Sequence, residues 1–326
     1  MGSELSHVIR LLDYDEGQAT EMISEFIMKM LPGKTYGKTC INQSGNKENA
    51  RCVFLLRVRG NGDFALKFDP ESGRSGRLER EANWLKTLGG HFAGYENLSV
   101  PELFYLSEDR SFIVTRFADG ESANNLLLQK KDPSDTYKFA ARWLSALHKY
   151  SDGTQQKFMS DWIFDAIDNL TITQTPAARR STYLPWISRL YDEAEELNGR
   201  PQLKCISHGR FYPRNLLVSR SSATGMDLST IEEKLGLYDV VDFMSNDPYR
   251  QISDADISKS GVSKQAVETF FEHYSPTFDP QVFAFMMRAR LLIDFLKITP
   301  QDYSKHKNKR TQSALLERRL EIAFGN

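Results

Sequence analysis

The stretch His208-Gly209-Arg210-Phe211-Tyr212-Pro213-Arg214-Asn215-Leu216-Leu217-Val218 decides how this 326-residue chain is read. Its glycine, proline and asparagine are turn residues, and residues 216–219 behind them read as a short strand. Asn215 offers a neutral oxygen of the kind a hard cation accepts. Arg210 and Arg214 carry donors only and stay protonated at physiological pH, so neither can take a proton from a hydroxyl group. Taken alone, the segment is either a plain turn into a strand or a loop that handles a cation. The elements on either side of it decide which.

Downstream, residues 219–230 read as a polar insertion. Residues 235–239 follow as an apolar run ending in Asp239, with Asn246-Asp247-Pro248 further on. Asp242-Phe243 is a second position for the same kind of aspartate, so both Asp239 and Asp242 are candidate metal ligands. Each of these acidic residues, taken singly, also fits an ordinary turn. Helical periodicity marks residues 133–148, the stretch from Leu184 to Gly199, the stretch from Val267 to Tyr274, and a helix opened by Asp279-Pro280, an N-cap and N1 pair. Asp161, Asp165 and Asp168 share helical spacing and read either as a solvated face or as an acidic rim for a cationic substrate. His148 lies on an apolar helix face and reads as a core histidine. The basic run 305–310 reads as a solvated connection before a last helix.

Upstream, residues 19–31 repeat apolar side chains at helical spacing and stop at Pro32-Gly33. Strands are expected at residues 36–42, 52–58, 64–68, 101–106 and 112–117, the first two joined by a polar, glycine-containing hairpin. Between the third and fourth lies a helix, residues 74–88, whose apolar stripe runs through Leu78, Ala82, Leu85 and Leu88 and includes Glu81. Glu79, by contrast, sits about 100° away from Leu78. A carboxylate on a buried face needs a partner, and Lys67 on the preceding strand is available.

In this order the segments resemble the aminoglycoside phosphotransferase and choline kinase family. Its loop reads H-G-D-x-x-x-x-N, with aspartate as catalytic base and asparagine on a metal ion. The resemblance spans roughly residues 35 to 300. It implies an α+β, bilobal protein-kinase-like fold. An N-lobe over residues 1–118 would carry a five-stranded antiparallel sheet and a helix, and residues 119–326 would form a mostly helical C-lobe. It also implies ATP and Mg²⁺ as cofactors. Lys67 and Glu81 would handle the phosphates together with the hairpin tip Ser44, Gly45 and Asn46, and Asn215 with Asp239 or Asp242 would hold the metal. The expected activity is phosphoryl transfer to a hydroxyl of a small molecule.

The chain departs from the family pattern where the chemistry is done. Arg210 stands at the base position, so it either takes a positive role toward a phosphoryl group or pairs with Asp239 or Asp242 and closes an inactive site. Arg214 stands where the family commonly has glycine, Gln251 where a further aspartate is usual, and the hairpin lacks G-x-G-x-x-G. The alternative to a phosphotransferase is therefore a pseudokinase, a nucleotide sensor or scaffold of the same lineage.

Bulk properties narrow the setting. Lys plus Arg (42) nearly balance Asp plus Glu (43), which offers no electrostatic case for nucleic acid. Three widely spaced cysteines, Cys40, Cys52 and Cys205, fit neither a disulfide framework nor a zinc site, so a reducing cytoplasm is expected. No secretory signal is read at Met1–His7, and no apolar run is long enough to span a membrane.

Overall fold

The computed structural model describes residues 14–44, 50–129, 132–173 and 180–325. The chain divides into two compact units. The first comprises Met1–Ala93, Val100–Ala118 and Asp227–Ser229; the second comprises Gly94–Ser99, Asp119–Met226 and Thr230–Asn326. Two short segments, 94–99 and 227–229, thus belong to the unit opposite to the one their sequence neighbours suggest.

The first unit is built on a five-stranded antiparallel sheet in the order Tyr36–Ser44, Arg51–Val58, Gly62–Phe68, Phe112–Arg116, Leu103–Leu106. Alternating burial along Gly62–Phe68 puts Phe64, Leu66 and Phe68 on the core side and Lys67 on the other, as a period of two requires. The helix Glu16–Met30 starts at Asp15, whose carboxylate accepts from the Gln18 amide, and buries Ala19, Met22, Ile23, Phe26 and Ile27. Phe26 and Phe64 meet edge to face at 5.5 Å in this core. Each fully buried side chain of that size contributes about 1.5–3 kcal/mol. The helix Arg77–Phe92 buries Leu78, Glu81, Ala82, Leu85, Leu88 and Phe92, the stripe expected from its sequence.

The second unit centres on two helices buried on almost every side, Ser134–His148 and Pro280–Leu296. Asp279 caps the second, accepting from the Gln281 and Val282 amides at 2.8 and 3.3 Å. Two corrections to the sequence reading bear on the site. Residues 219–230 contain the strand Ala223–Gly225, which pairs antiparallel with Leu216–Val218 and parallel with Leu98–Ser99, so they are not merely an insertion. The strand expected to end at Asp239 stops earlier, at Glu232–Leu235, and Leu237–Met244 is a helix. The apolar run there had the length of a strand, but its burial is helical: Leu237, Val240, Val241 and Met244 are all buried. Among the described residues no helix is long and apolar enough to cross a membrane.

Candidate functional site

In the first unit Lys67 and Glu81 meet. The Lys67 ammonium lies 2.9 and 2.7 Å from the two Glu81 oxygens, and 2.7 Å from Asp227 Oδ1. Arg77 reaches the same Asp227 oxygen at 3.2 Å and Asp69 at 3.0 Å, and Arg51 closes on Asp69 at 3.3 Å. Cations and carboxylates therefore alternate along Arg51, Asp69, Arg77, Asp227, Lys67 and Glu81. Glu81 is only 4% exposed, and an unpaired carboxylate there would be costly. Burial works against the Lys67 charge, but Glu81 and Asp227 outweigh it and raise the ammonium above its ordinary value. Burial pushes the Glu81 carboxyl up, and the pull of Lys67 offsets this only in part.

Asp227 is the residue the sequence reading missed. It lies two residues beyond the end of the strand Ala223–Gly225 and adopts a left-handed backbone, φ 60°, which is uncommon for a residue other than glycine and is concentrated at turns and functional sites. A strand ending in aspartate was the pattern sought, but Thr224 and Gly225 dilute the apolar signal of residues 223–226, whereas residues 235–239 display it openly. Of the expected hairpin tip, Ser44 closes the strand Tyr36–Ser44 opposite Arg51, while Gly45 and Asn46 lie outside the described residues.

In the second unit the loop 208–215 is held from beneath by Asp239. One carboxylate oxygen accepts the His208 amide at 2.6 Å and the other accepts the Gly209 amide at 2.9 Å. His148 Nε2 lies 3.2 Å away, and its Nδ1 lies 2.8 Å from the Tyr274 hydroxyl. Burial opposes the charged imidazole, but Tyr274, Asp239 and Cys205 prevail and hold His148 well above the ordinary histidine range. Asp239 is 0% exposed and both of its oxygens accept loop amides, so it clamps the loop. Gly209 has φ 77°, and a Cβ there would collide with the Thr230 carbonyl oxygen. Only glycine fits this turn.

Asp242, the other metal candidate, is ion-paired to Arg290 at 2.8 Å, and burial pushes its carboxyl up against that pull. Asp247 is likewise a buried hub, bonded to the Tyr137 hydroxyl at 2.8 Å, the Ser263 amide at 2.7 Å and Arg250 at 3.0 Å. Asn215 donates through Nδ2 to the Arg210 carbonyl at 2.9 Å, and its Oδ1 has no hydrogen-bond partner among the described residues. Arg210 itself is exposed and forms no ion pair with a described residue. It therefore does not close the site by pairing with Asp239 or Asp242. Among the described residues no three His, Cys, Asp or Glu side chains gather as a metal cage.

Two cavities border this loop. One, of about 660 Å³, is walled by Gly209, Trp162, Tyr238, Met286 and other apolar groups, with Asp242, Arg290 and Lys297 at its side. The other, of about 370 Å³, is polar and takes Tyr212 and Arg214 from the loop together with Arg290, Asp294, Lys297 and Lys309. The helix Asp161–Thr173 presents Trp162, Ile163, Ala166 and Leu170 to the first cavity. Its carboxylates Asp161, Asp165 and Asp168 are exposed and line neither, so the acidic rim is not formed by them.

No curated protein matches the chain significantly. Among solved structures its fold is similar to that of a choline/ethanolamine kinase family protein from Mesorhizobium loti, with 14% identity, 94% of this chain and 95% of that chain covered, and a TM-score of 0.58. It is also similar to the macrolide 2'-phosphotransferase MphH from Brachybacterium faecium, with 13% identity, 92% and 98% coverage and a TM-score of 0.56. A third similarity is to the GDP and kanamycin complex of APH(2")-IIia, with 13% identity, 94% and 99% coverage and a TM-score of 0.59. At these identities the likeness is one of fold. The model of the phosphotransferase enzyme family matches residues 42–243, the span that contains Lys67, Glu81, Asp227 and the clamped loop, and the chain belongs to that family.

Proposed function

We propose that the protein transfers the terminal phosphoryl group of ATP to a hydroxyl of a small molecule. The observation that supports this best is the Lys67, Glu81 and Asp227 cluster, a half-buried lysine oriented by one carboxylate and touching a second. Lys67 would hold the α- and β-phosphates and Glu81 would keep its ammonium in place. Within the first unit Asp227, in place of Asp239, would supply a carboxylate for Mg²⁺. A magnesium ion held there would supply charge neutralisation for the phosphate oxygens and the ADP leaving group. In the second unit Asn215 keeps an amide oxygen without a hydrogen-bond partner among the described residues. The fold neighbours support the reading in kind: one was solved with GDP and kanamycin, and another belongs to the choline/ethanolamine kinase family. Three free cysteines agree with work in the cytoplasm.

Arg210 leaves no base at the expected position of the loop. Asp239 is buried beneath the loop and holds two of its amides, Asp242 is ion-paired and Arg210 can only donate. As the bond from the terminal phosphorus to ADP breaks and the bond to the acceptor oxygen forms, the hydroxyl proton leaves to solvent. Arg210 meets the charge on the phosphoryl oxygens. Loss of base assistance is worth about 10²–10⁴ in rate, while positioning and electrostatics, which carry most of phosphoryl transfer, remain.

A second reading, nucleotide binding without transfer, is favoured by one observation: the exposed Arg210 has no carboxylate partner among the described residues and brings positive charge to the loop. Thermal melting with ATP, with and without Mg²⁺, and turnover of wild type and Arg210→Asp separate the readings. Wild-type transfer that is lost in Arg210→Ala supports the first. Transfer that arises only in Arg210→Asp supports the second, and no stabilisation by millimolar ATP rejects both.

A further inference from the structure

The cavities beside the loop carry the wrong charge for a cationic acceptor. The polar one is walled by four cations, Arg214, Arg290, Lys297 and Lys309, against one carboxylate, Asp294. Asp294 is already engaged by Arg290 at 3.0 Å and by Lys297 at 3.4 Å, and Asp242 in the adjoining apolar cavity is taken by Arg290. Arg214 and Lys309 have no ion-pair partner among the described residues, so the excess charge resides with them. Tyr212 orders this wall: the Arg214 guanidinium lies 4.8 Å and that of Arg290 5.8 Å from its ring centre. The exposed carboxylates Asp161, Asp165 and Asp168 line neither cavity.

The two cavities share Arg290 and Lys297, and the loop contributes Gly209 to one and Arg214 to the other. An apolar chamber and a cationic chamber thus meet along the loop that the proposed transfer would use. We infer that the acceptor is an amphipathic oxyanion, its apolar body lodged against Trp162, Tyr238 and Met286 and its carboxylate or phosphate group held by Arg214 and Lys309. The inference rests on the phosphotransferase reading and specifies its acceptor. Guanidinium contacts to an oxyanion are charge-assisted and can be bidentate, which makes Arg214 the stronger of the two anchors.

The test uses the full chain and three probes with one apolar body, 4-phenylbutyrate, 4-phenylbutyl phosphate and 4-phenylbutylamine, titrated calorimetrically. At least one anion is expected to bind about tenfold or more tightly than the amine, and to lose about tenfold or more in Arg214→Glu/Lys309→Glu. The two anionic arms distinguish a carboxylate from a phosphate headgroup. If the double variant does not fold, Lys309→Glu alone and the fall of wild-type anion affinity with added salt carry the same test. Amine binding as tight as the tighter anion, an unchanged affinity of that anion in the variant, or no anion binding up to about 10 mM overturns the inference. ATP-induced stabilisation of the wild type, measured in parallel, keeps the two ideas apart. Anion selectivity without an ATP response sinks the phosphotransferase reading and leaves the cavity an anion site, whereas an ATP response with amine preference sinks only the acceptor inference.

Discussion

Asp239→Asn is expected to lower the stability of the second unit by about 2.5–6 kcal/mol, the sum of two losses at one buried carboxylate. The native side chain accepts the His208 amide at 2.6 Å through one oxygen and the Gly209 amide at 2.9 Å through the other, at 0% exposure. Asparagine keeps one acceptor oxygen and turns an NH₂ group toward the second amide. One charge-assisted bond is lost, worth about 1.5–3 kcal/mol, and one backbone donor is left buried and unsatisfied at a cost of about 1–3 kcal/mol. The 3.2 Å contact with His148 weakens as well. Urea denaturation followed by tryptophan fluorescence reads the change, since Trp143 of this unit stacks on Phe211 of the loop at 5.1 Å. At a slope of about 3 kcal/mol/M the midpoint should fall by about 0.8–2 M. The variant that remains folded should still show whatever Mg²⁺-dependent stabilisation by ATP the wild type shows. An Asn variant within about 1 kcal/mol of wild type that has lost its Mg²⁺ response would refute the argument and return Asp239 to the metal.

Asp227→Asn should give the opposite pattern, removing the Mg²⁺-dependent part of ATP stabilisation in thermal melts while the loop of the second unit stays intact; an unaltered Mg²⁺ response would count against Asp227 as the metal carboxylate. His148 is held well above its ordinary value, so its stabilising contribution is fully present below the unfolded pKa and is lost as pH rises through the folded one. The melting-temperature gap between wild type and His148→Gln should therefore shrink from about pH 6 to about pH 9, and a gap that widens would contradict the pairing with Asp239. Gly209→Ala combines a left-handed backbone with a collision at the Thr230 carbonyl and should cost about 2 kcal/mol or more in chemical denaturation; a neutral result would mean that the turn can shift.

Much of the first unit was legible because its signals are local. The periods of two and 3.6 residues placed Lys67 on a strand face and Glu81 within a buried helix stripe, and a buried carboxylate demands a partner. The second unit was harder to read. Residues 235–239 form an apolar run of strand length, yet the segment from Leu237 is a helix, because burial on several sides removes the alternation that tells strand from helix. The strand Ala223–Gly225 has only three residues, and its parallel pairing with Leu98–Ser99 joins positions too distant for any local pattern to register.

The sequence by itself determined the family order of the segments, the identity of the lysine and glutamate that pair, and the absence of a proton acceptor at Arg210, since a guanidinium cannot become a base in any fold. Only the tertiary structure decided what each aspartate touches. Asp227, Asp239 and Asp242 are chemically identical and sit within one short span. What separates them is the set of donors brought to each from remote parts of the chain: Lys67 and Arg77 for Asp227, two loop amides and His148 for Asp239, and Arg290 for Asp242. The role of a carboxylate is set by its surrounding charges and hydrogen bonds, and those are assembled by long-range packing, which leaves no mark at the residue itself.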